Sequence, residues 1–407
     1  MNRCRKCLLP EGKFNVTLNA RGICNYCDYF EQHKTTILNP ANRENMLARI
    51  FEKYRGKYEY DAVVGLSGGK DSTYVLCQLV TKYKLKVAAV TYDNGFLTDF
   101  AKESVKNTID KLGVDHYHYK PNWDTHRKFY KATVQKLFDP CIACALGGYF
   151  LAIKKCQERR IPFFVHGRSP YQMYRNFYKN SNDAFLPLMK LNLMKHSLMS
   201  NIGGYFALLK SIPIKLAPGL IWRACSSGFG GSVINNYAYS MINEYVKQAI
   251  SKLTDSKQEA EEITGEFFVA SSKLMREFAP EFLAYFLFEE YDEEKIKIYL
   301  ENTLGWKRPA DDNLLGHYDC KLHDAATYMF KALNGVDVIE PDVAVMLRFG
   351  EISQEKAKEL IQVNQPMENN VEKSLDAIAA LCGLKREEMD SILHTLKQAN
   401  ISKFSSR

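Results

Sequence analysis

Six of the eleven cysteines in this 407-residue chain stand in three C-x-x-C pairs, a spacing that can present two thiolates to one metal ion. Two of the pairs lie near the amino terminus, in the pattern C-x2-C-x16-C-x2-C, and their members are Cys4, Cys7, Cys24 and Cys27. Four thiolates suit a tetrahedral zinc ion in a closed, structural site. A unit of about thirty residues buries too little apolar surface to fold without such help. The pattern therefore predicts a zinc ribbon, with a rubredoxin-like iron site as the alternative.

The third pair, Cys141 and Cys144, stands in the stretch FDPCIACALGG, where a segment with a helical pattern begins. Free cysteine is often buried, so the two residues could belong to the core. They could also form a redox pair or bind zinc or iron, since thiolates suit both metals. The residues alone leave these alternatives open.

The stretch GLSGGKDS, residues 65–72, has the composition of an anion-binding loop. Gly68 and Gly69 allow backbone N–H groups to turn toward an anion, and a helix that follows would direct its positive amino terminus to the same place. Lys70 adds a positive charge, and Ser67 and Ser72 add hydroxyl donors. The spacing does not fit the Walker A form. An ordinary strand-to-helix turn is the alternative interpretation.

The segments around these motifs alternate between strand and helix patterns. Four runs of strand type, YDAVVGL, KVAAVTYDNG, DHYHYKP and IPFFVHGRS, are separated by segments with helical spacing. Thr98 is expected to cap the helix after the second strand, and Gly113 to end it. The alternation predicts an α/β fold with a doubly wound parallel sheet. Ligands bind such sheets at the carboxyl ends of the strands.

Past residue 182 the alternation fades and the chain reads as mainly helical, over 240–300 and 350–405 in particular, with a helical hairpin broken at Gly383. Residues 184–243 contain no acidic side chain. Their basic side chains are Lys190, Lys195, Lys210, Lys215 and Arg223. This stretch is either solvated surface or a binding region for an anionic substrate. We expect a zinc ribbon over 1–30, a linker helix over 31–58, an α/β domain over 59–182 and a mainly helical substrate or partner region over 183–407.

The composition argues against a membrane or secreted protein. The chain is 46% hydrophobic and 25% charged, with a net charge of +8, and no stretch of eighteen apolar residues is free of charge. The start, MNRCRKC, lacks the apolar region of a signal peptide. Cysteines in a reducing cytosol serve as ligands or catalysts more often than as disulfides. We therefore expect a cytoplasmic protein without a membrane span.

The loop GLSGGKDS resembles the S-G-G-x-D-S loop of the PP-loop ATP pyrophosphatases, which have a HUP-like fold. The resemblance implies that ATP and Mg²⁺ bind here, that AMP is transferred to a substrate carbonyl oxygen with release of pyrophosphate, and that a nucleophile then displaces AMP. Lys70 would stabilise the leaving pyrophosphate, and Asp71 would orient Mg²⁺ or Lys70. The ATP-binding residues that it implies are Leu66, Ser67, Gly68, Gly69, Lys70, Asp71, Ser72, Tyr92, Asp93, Gly167 and Arg168. Arg168 could instead belong to a surface ion pair.

The segment CIACALGGYFLAIKKCQERRIPFFVHG is similar to the matching part of the PP-loop tRNA thiolation enzymes, the 2-thiouridine and 2-thiocytidine synthetases. This resemblance implies that Cys141, Cys144 and a third cysteine hold a [4Fe–4S] cluster whose open iron carries sulfur. The third would be Cys225, which the spacing fits, and Cys320 is either a rival ligand or a sulfur relay. Those enzymes usually carry G-H-N-x-x-D-D after the fourth strand, where this chain has HGRSP. The departure argues against a tRNA substrate.

A third resemblance connects the amino-terminal cysteines, the phosphate loop and the later LGWKRPADD, HYDC and RFGEISQEKA to the N-acetyl-sugar amidotransferases of surface-polysaccharide biosynthesis. Those enzymes use ammonia from partner subunits. We favour ATP-dependent sulfur insertion into a small molecule or an RNA base, with a sulfur donor such as a cysteine desulfurase. The alternatives are an amidotransferase served by a glutaminase subunit and a non-catalytic zinc- and nucleotide-binding module. The oligomeric state is open, a homodimer included.

Overall fold

The structure is a computed structural model that describes residues 2–13, 16–37, 41–169, 171, 250–267, 278, 280–309, 319–363 and 368–405. The basic stretch over 184–243, including the predicted ligand Cys225, lies outside the described residues. The strands are β1 (Ala62–Gly65), β2 (Val87–Tyr92), β3 (Asp115–Tyr119), β4 (Phe163–His166) and β5 (Glu281–Ala284). The helices, numbered along the described residues, are α1 (Asn25–Ile37), α2 (Ala41–Tyr54), α3 (Lys70–Thr81), α4 (Asp99–Leu112), α5 (Trp123–Leu137), α6 (Pro140–Glu158), α7 (Lys257–Phe267), α8 (Glu293–Leu304), α9 (His323–Asn334), α10 (Glu340–Phe349), α11 (Gln354–Val363), α12 (Glu368–Cys382) and α13 (Arg386–Ser405).

The strands form one parallel sheet in the order β3-β2-β1-β4-β5. The central strands are apolar and buried on both faces, as parallel sheets require, and helices pack on the sheet. The order reverses between β1 and β4, because β2 and β3 extend from one side of β1 and β4 and β5 from the other. The predicted doubly wound α/β fold is confirmed, and its topological switch point lies between the carboxyl ends of β1 and β4.

Strand β5 lies inside the stretch over 240–300 that the sequence pattern assigned to helix, and for these residues the prediction is wrong. The strand has only four residues, EFLA, and pairs in parallel with β4, with Glu281 opposite Phe163. So short an apolar run carries no periodicity of its own. Its conformation is set by the free edge of β4 rather than by local sequence.

The helix ends follow local chemistry. The Thr98 side chain accepts a hydrogen bond from the Ala101 amide at 3.1 Å, and Gly113 ends α4 in the left-handed conformation, so both predicted signals are confirmed. Gly383, with φ of +63°, separates α12 from α13, which confirms the expected break in the carboxyl-terminal helical hairpin. From Glu293 onward the described elements are all helices, as predicted for that region.

The amino-terminal cysteine unit packs on the carboxyl-terminal helices. Cys24 directly precedes α1 and Cys27 lies in its first turn. The ring of Phe30 stacks on that of Phe349 at 5.4 Å, and Arg3 Nη1 lies 2.6 Å from Glu340 Oε2. Two helices, α1 and α2, run through the segment expected to hold the linker helix. Among the described helices, none combines the length and the apolar character needed to cross a bilayer.

Candidate functional site

The turn between β1 and α3 has the form of a phosphate-binding loop. Ser72 Oγ donates to the Gly69 carbonyl at 3.2 Å and lies 3.2 Å from Ser67 Oγ, which in turn accepts from the Gly69 amide at 3.3 Å. These bonds fold the loop back on the first turn of α3. Gly69, the residue that precedes α3, provides no side-chain cap, so the amino terminus of the helix faces the crevice with its positive dipole end. Leu66 is buried in the core and can serve a nucleotide only through its backbone.

Two glycines allow the close approach that shapes this loop. Gly68 has φ of +87°, and a Cβ built there would lie 2.3 Å from the carbonyl oxygen of Ala101. Gly167, just after β4, would place a Cβ 2.8 Å from the carbonyl oxygen of Asp71. A side chain at either position would therefore overlap backbone. The end of β4 and the first turn of α3 thus meet at the switch point, as the prediction for Gly167 requires.

Charged side chains from α8 reach the phosphate loop. Lys70 Nζ lies 3.4 Å from Asp71 Oδ2 and 3.7 Å from Glu293 Oε2, while the other oxygen of Glu293 lies 3.0 Å from Lys297 Nζ. The Tyr291 hydroxyl donates to Asp71 Oδ1 at 3.1 Å. All of these side chains are largely buried. Lys70 is thus held in position by two carboxylates before any anion binds.

The titration of these groups follows from burial and charge. Burial alone would lower the pKa of Lys70, but Asp71, Glu293 and Asp319 outweigh it and raise the pKa above its usual value, so Lys70 is a cation. Burial raises the pKa of Glu293, against the opposing effect of Lys70 and Lys297. The loop therefore presents a positive charge whose counter-ions are already in place.

The residues after β2 form the second wall of the crevice. The Tyr92 hydroxyl lies 2.9 Å from His126 Nδ1, and His126 Nε2 lies 3.0 Å from the Asn94 carbonyl oxygen. Asp93 accepts from the Gly95 amide at 3.0 Å. The Tyr92 ring packs inward, next to Phe267. Its side chain is thus held in the core while the peptide groups that follow β2 lie at the carboxyl edge of the sheet, and its role toward ATP stays a prediction.

The third cysteine pair begins α6. The Asp139 side chain caps this helix by accepting from the Cys141 amide at 2.9 Å, and Pro140 occupies the first turn, where its missing N–H is harmless. Cys141 is exposed and Cys144 is half-buried. Asn94 Nδ2 donates to Cys144 Sγ at 3.1 Å. Burial raises the pKa of Cys144. The wall formed after β2 is therefore in direct contact with the cysteine pair.

Cys320 belongs to the same site. Leu97 and Cys320 form an antiparallel bridge, and the Lys321 amide donates to the Phe96 carbonyl at 2.8 Å. The neighbouring Asp319 points at the phosphate loop, since a Cβ on Gly69 would lie 3.6 Å from its Oδ2. Burial, together with the nearby Cys144 and Asp319, raises the pKa of Cys320 to about 12. One short segment thus contributes a carboxylate to the loop and a thiol to the cysteine pair.

The amino-terminal cysteines form a cage suited to one metal ion. The four Sγ atoms of Cys4, Cys7, Cys24 and Cys27 lie within 4.8 Å of one another, and all four side chains are buried. Cys4 and Cys27 are separated by 3.9 Å and Cys7 and Cys24 by 3.5 Å, close to the separation of about 3.8 Å that tetrahedral Zn–S bonds of about 2.3 Å require. The amides of Cys24 and Cys27 also donate to sulfur, to Cys4 at 3.3 Å and Cys24 at 3.4 Å. The donor set fits zinc.

The structure brings most of the predicted site together. The loop residues, Asp93, Gly167, Cys144 and Cys320 all lie at the carboxyl edge of the sheet or in contact with it. The Arg168 guanidinium lies over the Tyr149 ring at 4.9 Å and near enough to Cys144 to affect its pKa. Cys225 lies outside the described residues, so its role as a ligand stays a prediction.

Sequence reasoning missed the side chains that reach the site from far along the chain. Glu293 and Lys297 give no signal, because the sequence around them shows only a helical pattern. Asp319 lies within HYDC, where the sequence predicts a role for the cysteine alone. Asn94 was placed at the end of β2, but its contact with Cys144 is a tertiary one that spacing does not reveal.

No protein-family model matches the sequence, and no curated protein matches it. Among solved structures, the U34-tRNA thiolase NcsA from Methanococcus maripaludis, described with its [4Fe–4S] cluster, is 12% identical over 89% of each chain, with a TM-score of 0.31. The NMN synthetase from Francisella tularensis is 14% identical over 34% of this chain, with a TM-score of 0.22, and the chain spans 58% of its length. Scores this low do not establish a shared family.

Proposed function

We propose that this protein uses ATP to transfer AMP to a substrate carbonyl oxygen, with release of pyrophosphate, and then replaces that oxygen by sulfur. The observation that carries the proposal is that the phosphate loop and two cysteines lie at the same edge of the sheet. The phosphate loop lies beside Asp319, and the adjacent Cys320 is bridged to Leu97, three residues from the Asn94 that bonds Cys144. An activated carbonyl and a thiol site would thus share one crevice.

The first step follows from the charges at the loop. The carbonyl oxygen attacks the α-phosphorus, the bond from that phosphorus to the bridging oxygen breaks, and pyrophosphate leaves with the electron pair. The loop amides and Lys70 stabilise this charge because they are oriented before the reaction begins. Mg²⁺ would neutralise part of the phosphate charge, and Asp71 is the carboxylate placed to hold it or to orient Lys70.

The second step exchanges oxygen for sulfur. A sulfur nucleophile attacks the carbon, the C–O bond breaks, and AMP departs with the oxygen. Cys141 and Cys144, with a third cysteine, would hold a [4Fe–4S] cluster, which when bound would supply the sulfur nucleophile. Asn94 orients Cys144 by its hydrogen bond. A desulfurase together with a two-electron reductant, or free sulfide, would replace the sulfur consumed. The zinc cage has four protein ligands and no open position, so its role is structural.

The products of ATP turnover test the first step. Purified protein is incubated anaerobically with Mg²⁺, ATP labelled in the α-phosphate, and either the RNA or the small-molecule fraction of a cell extract. We expect labelled AMP with an equal amount of pyrophosphate, and Lys70→Met should lower the rate by at least about a hundredfold, as loss of one preorganised charge contact commonly does. Lys102→Met, an exposed change on α4, is the matched control. Formation of ADP and phosphate would contradict the proposal.

The choice of nucleophile tests the second step. The same reaction is run with sodium sulfide or with ammonium chloride, and AMP release and product mass are followed. We expect sulfide to support turnover and the product to gain sulfur in place of oxygen. Turnover that depends on ammonium, and that persists in Cys144→Ala, would replace the sulfur proposal by an amidotransferase.

The amidotransferase would use the same first step. The segments that carry the likeness to N-acetyl-sugar amidotransferases include HYDC, and this segment contributes Asp319 to the phosphate loop. A carboxylate there would serve adenylation whichever nucleophile follows. The two candidates therefore share the first step and differ in the use made of Cys144 and Cys320.

A further inference from the structure

We propose that Cys320 binds the same iron–sulfur centre as Cys141 and Cys144. The inference rests on the proposed function and assigns to that site a cysteine that the family spacing, which points to Cys225, does not select. Three separate features of the described residues support it: the contacts of both cysteines with the chain after β2, the fixed backbone of Cys320, and a buried hydroxyl near the cysteines.

The chain that follows β2 contacts both thiols. The Asn94 side-chain nitrogen donates to Cys144 Sγ at 3.1 Å, and Leu97, three residues on, forms the bridge to Cys320. The Asn94 oxygen accepts from the Phe96 amide at 2.8 Å, so the amide group cannot rotate freely. This short segment therefore positions both cysteines, as the residues that surround a metal centre position its ligands.

The backbone holds Cys320 in place. The bridge to Leu97 and the hydrogen bond from Lys321 to Phe96 attach its segment to the chain that follows β2. The Leu322 amide donates to Cys320 Sγ at 3.4 Å. Amide hydrogen bonds to sulfur stabilise a cysteine ligand once it has lost its proton. The position of Cys320 is thus fixed by the protein itself, without a bound metal.

The buried hydroxyl is that of Tyr130, on α5. Tyr130 is fully buried, and Cys144 and Cys320 pack against the apolar cluster to which it belongs. Its hydroxyl lies near Cys144 Sγ but completes no hydrogen bond of ordinary geometry to any described residue. A buried donor is stabilised when it meets a well-placed acceptor, and cluster sulfur between the three cysteines would accept from it.

The chemistry of the donors indicates the kind of centre. Among the described residues, the amino-terminal cage is the only group of three or more candidate ligands whose atoms lie close enough together for one ion. Three thiolates from separate positions suit a four-iron cluster, in which each cysteine binds a different iron.

The test compares iron binding in single variants. Wild-type protein and the variants Cys144→Ala, Cys320→Ala, Cys320→Ser and Cys225→Ala are reconstituted anaerobically with ferrous iron and sulfide. Iron, acid-labile sulfide and visible absorption are then measured. We expect about four irons per chain in the wild type and in Cys225→Ala, and iron retention at least about tenfold weaker in Cys144→Ala and both Cys320 variants. Thermal unfolding of each apo-variant checks that it has folded.

The matched control is Cys156→Ala. This cysteine lies on α6 with Cys141 and Cys144 and is fully buried, but its sulfur faces the Phe163 carbonyl at 3.6 Å. It should retain the full iron content. Tyr130→Phe tests the hydroxyl, because it keeps the ring and removes the donor. We expect it to keep iron but to have a lower cluster reduction potential. An unchanged potential would overturn the role given to Tyr130.

Two failures can be told apart. Iron that survives Cys320→Ala and Cys320→Ser but not Cys144→Ala overturns the present inference and leaves the proposed function standing. A wild-type protein that binds no iron, and whose AMP release responds to ammonium, overturns the proposed function itself.

Discussion

The carboxylate of Glu293 lies 3.7 Å from the ammonium of Lys70, although the two residues belong to separate segments of the chain. Lys70 begins α3 directly after the phosphate loop, and Glu293 begins α8, after the edge strand β5. The second oxygen of Glu293 is held by Lys297 at 3.0 Å. Because Glu293 is shared, Lys70 can move toward a bound phosphate without leaving an unpaired carboxylate in a buried place. Glu293 therefore contributes both to the stability of the fold and to the position of Lys70 in the phosphate loop.

Removal of Glu293 should therefore cost stability. Glu293→Gln removes the carboxylate that the buried Lys297 and Lys70 share, and breaking a buried ion pair from one side typically costs about 3–5 kcal/mol. We expect the unfolding free energy, measured in denaturant titrations, to fall by about 3 kcal/mol. Glu301→Gln is the control on the same helix, since its partner Arg308 is partly exposed and the change should cost less than about 1 kcal/mol. Adding Lys297→Met to Glu293→Gln should restore most of the loss, and a double variant no more stable than Glu293→Gln would contradict the pairing.

Gly68 should be required for ATP binding and not merely for folding. Gly68→Ala introduces a Cβ at φ of +87° that would overlap the Ala101 backbone, so the loop must move. Gly113→Ala has a similar strain at φ of +62° but meets nothing within 4 Å. Each change should cost about 1 kcal/mol of stability from strain alone. Calorimetric titration with MgATP should show at least a tenfold loss of affinity, about 1.4 kcal/mol, in Gly68→Ala only. Equal affinities would show that the loop does not contact the phosphates.

The sequence was most informative where structure depends on neighbouring residues. Alternating apolar runs located β1 to β4, and the Thr98 cap and the stop at Gly113 depend on contacts within one turn. The closed pattern of four cysteines predicted a cage whose members the backbone does bring together. In each case the feature is determined by contacts within a few residues or by the spacing of the residues along the chain.

The parts that could not be predicted depend on the tertiary fold. Strand β5 is selected by the edge of β4, and Glu293 reaches Lys70 only because the chain after β5 crosses the carboxyl edge of the sheet. Leu97 and Cys320 meet through a bridge between distant segments. Tyr130 lies on α5, which no motif marked. Pattern and spacing carry no information about such contacts without an assembled sheet.

Zinc should be present and should support folding. The cage residues lie at separations that fit a tetrahedral ion, so we expect about one zinc per chain by elemental analysis. Cys4→Ser should lose the metal and lower the yield of folded protein, because the ribbon depends on metal for its stability. Cys382→Ala, a buried cysteine in the carboxyl-terminal hairpin, is the control and should keep the zinc. A full zinc content in Cys4→Ser would contradict the ribbon.

His166 should make the protein less stable in mild acid. It ends β4 with 6% of its surface exposed, and burial, assisted by the charge of Arg168, lowers its pKa from 6.5 to about 3. Between these values the unfolded chain binds a proton that the folded chain does not, so stability rises with pH across this window and is lost as pH falls below about 6.5. From pH 6.5 to pH 5 the loss from this group would approach about 2 kcal/mol.

The measurement of the His166 effect is the unfolding free energy at both pH values for the wild type and His166→Gln. His126, whose pKa burial also lowers, contributes in the same direction to both proteins, so the prediction concerns their difference. His166→Gln should show the smaller loss of stability on acidification. Equal losses in the two proteins would mean that the buried imidazole binds its proton in the folded state.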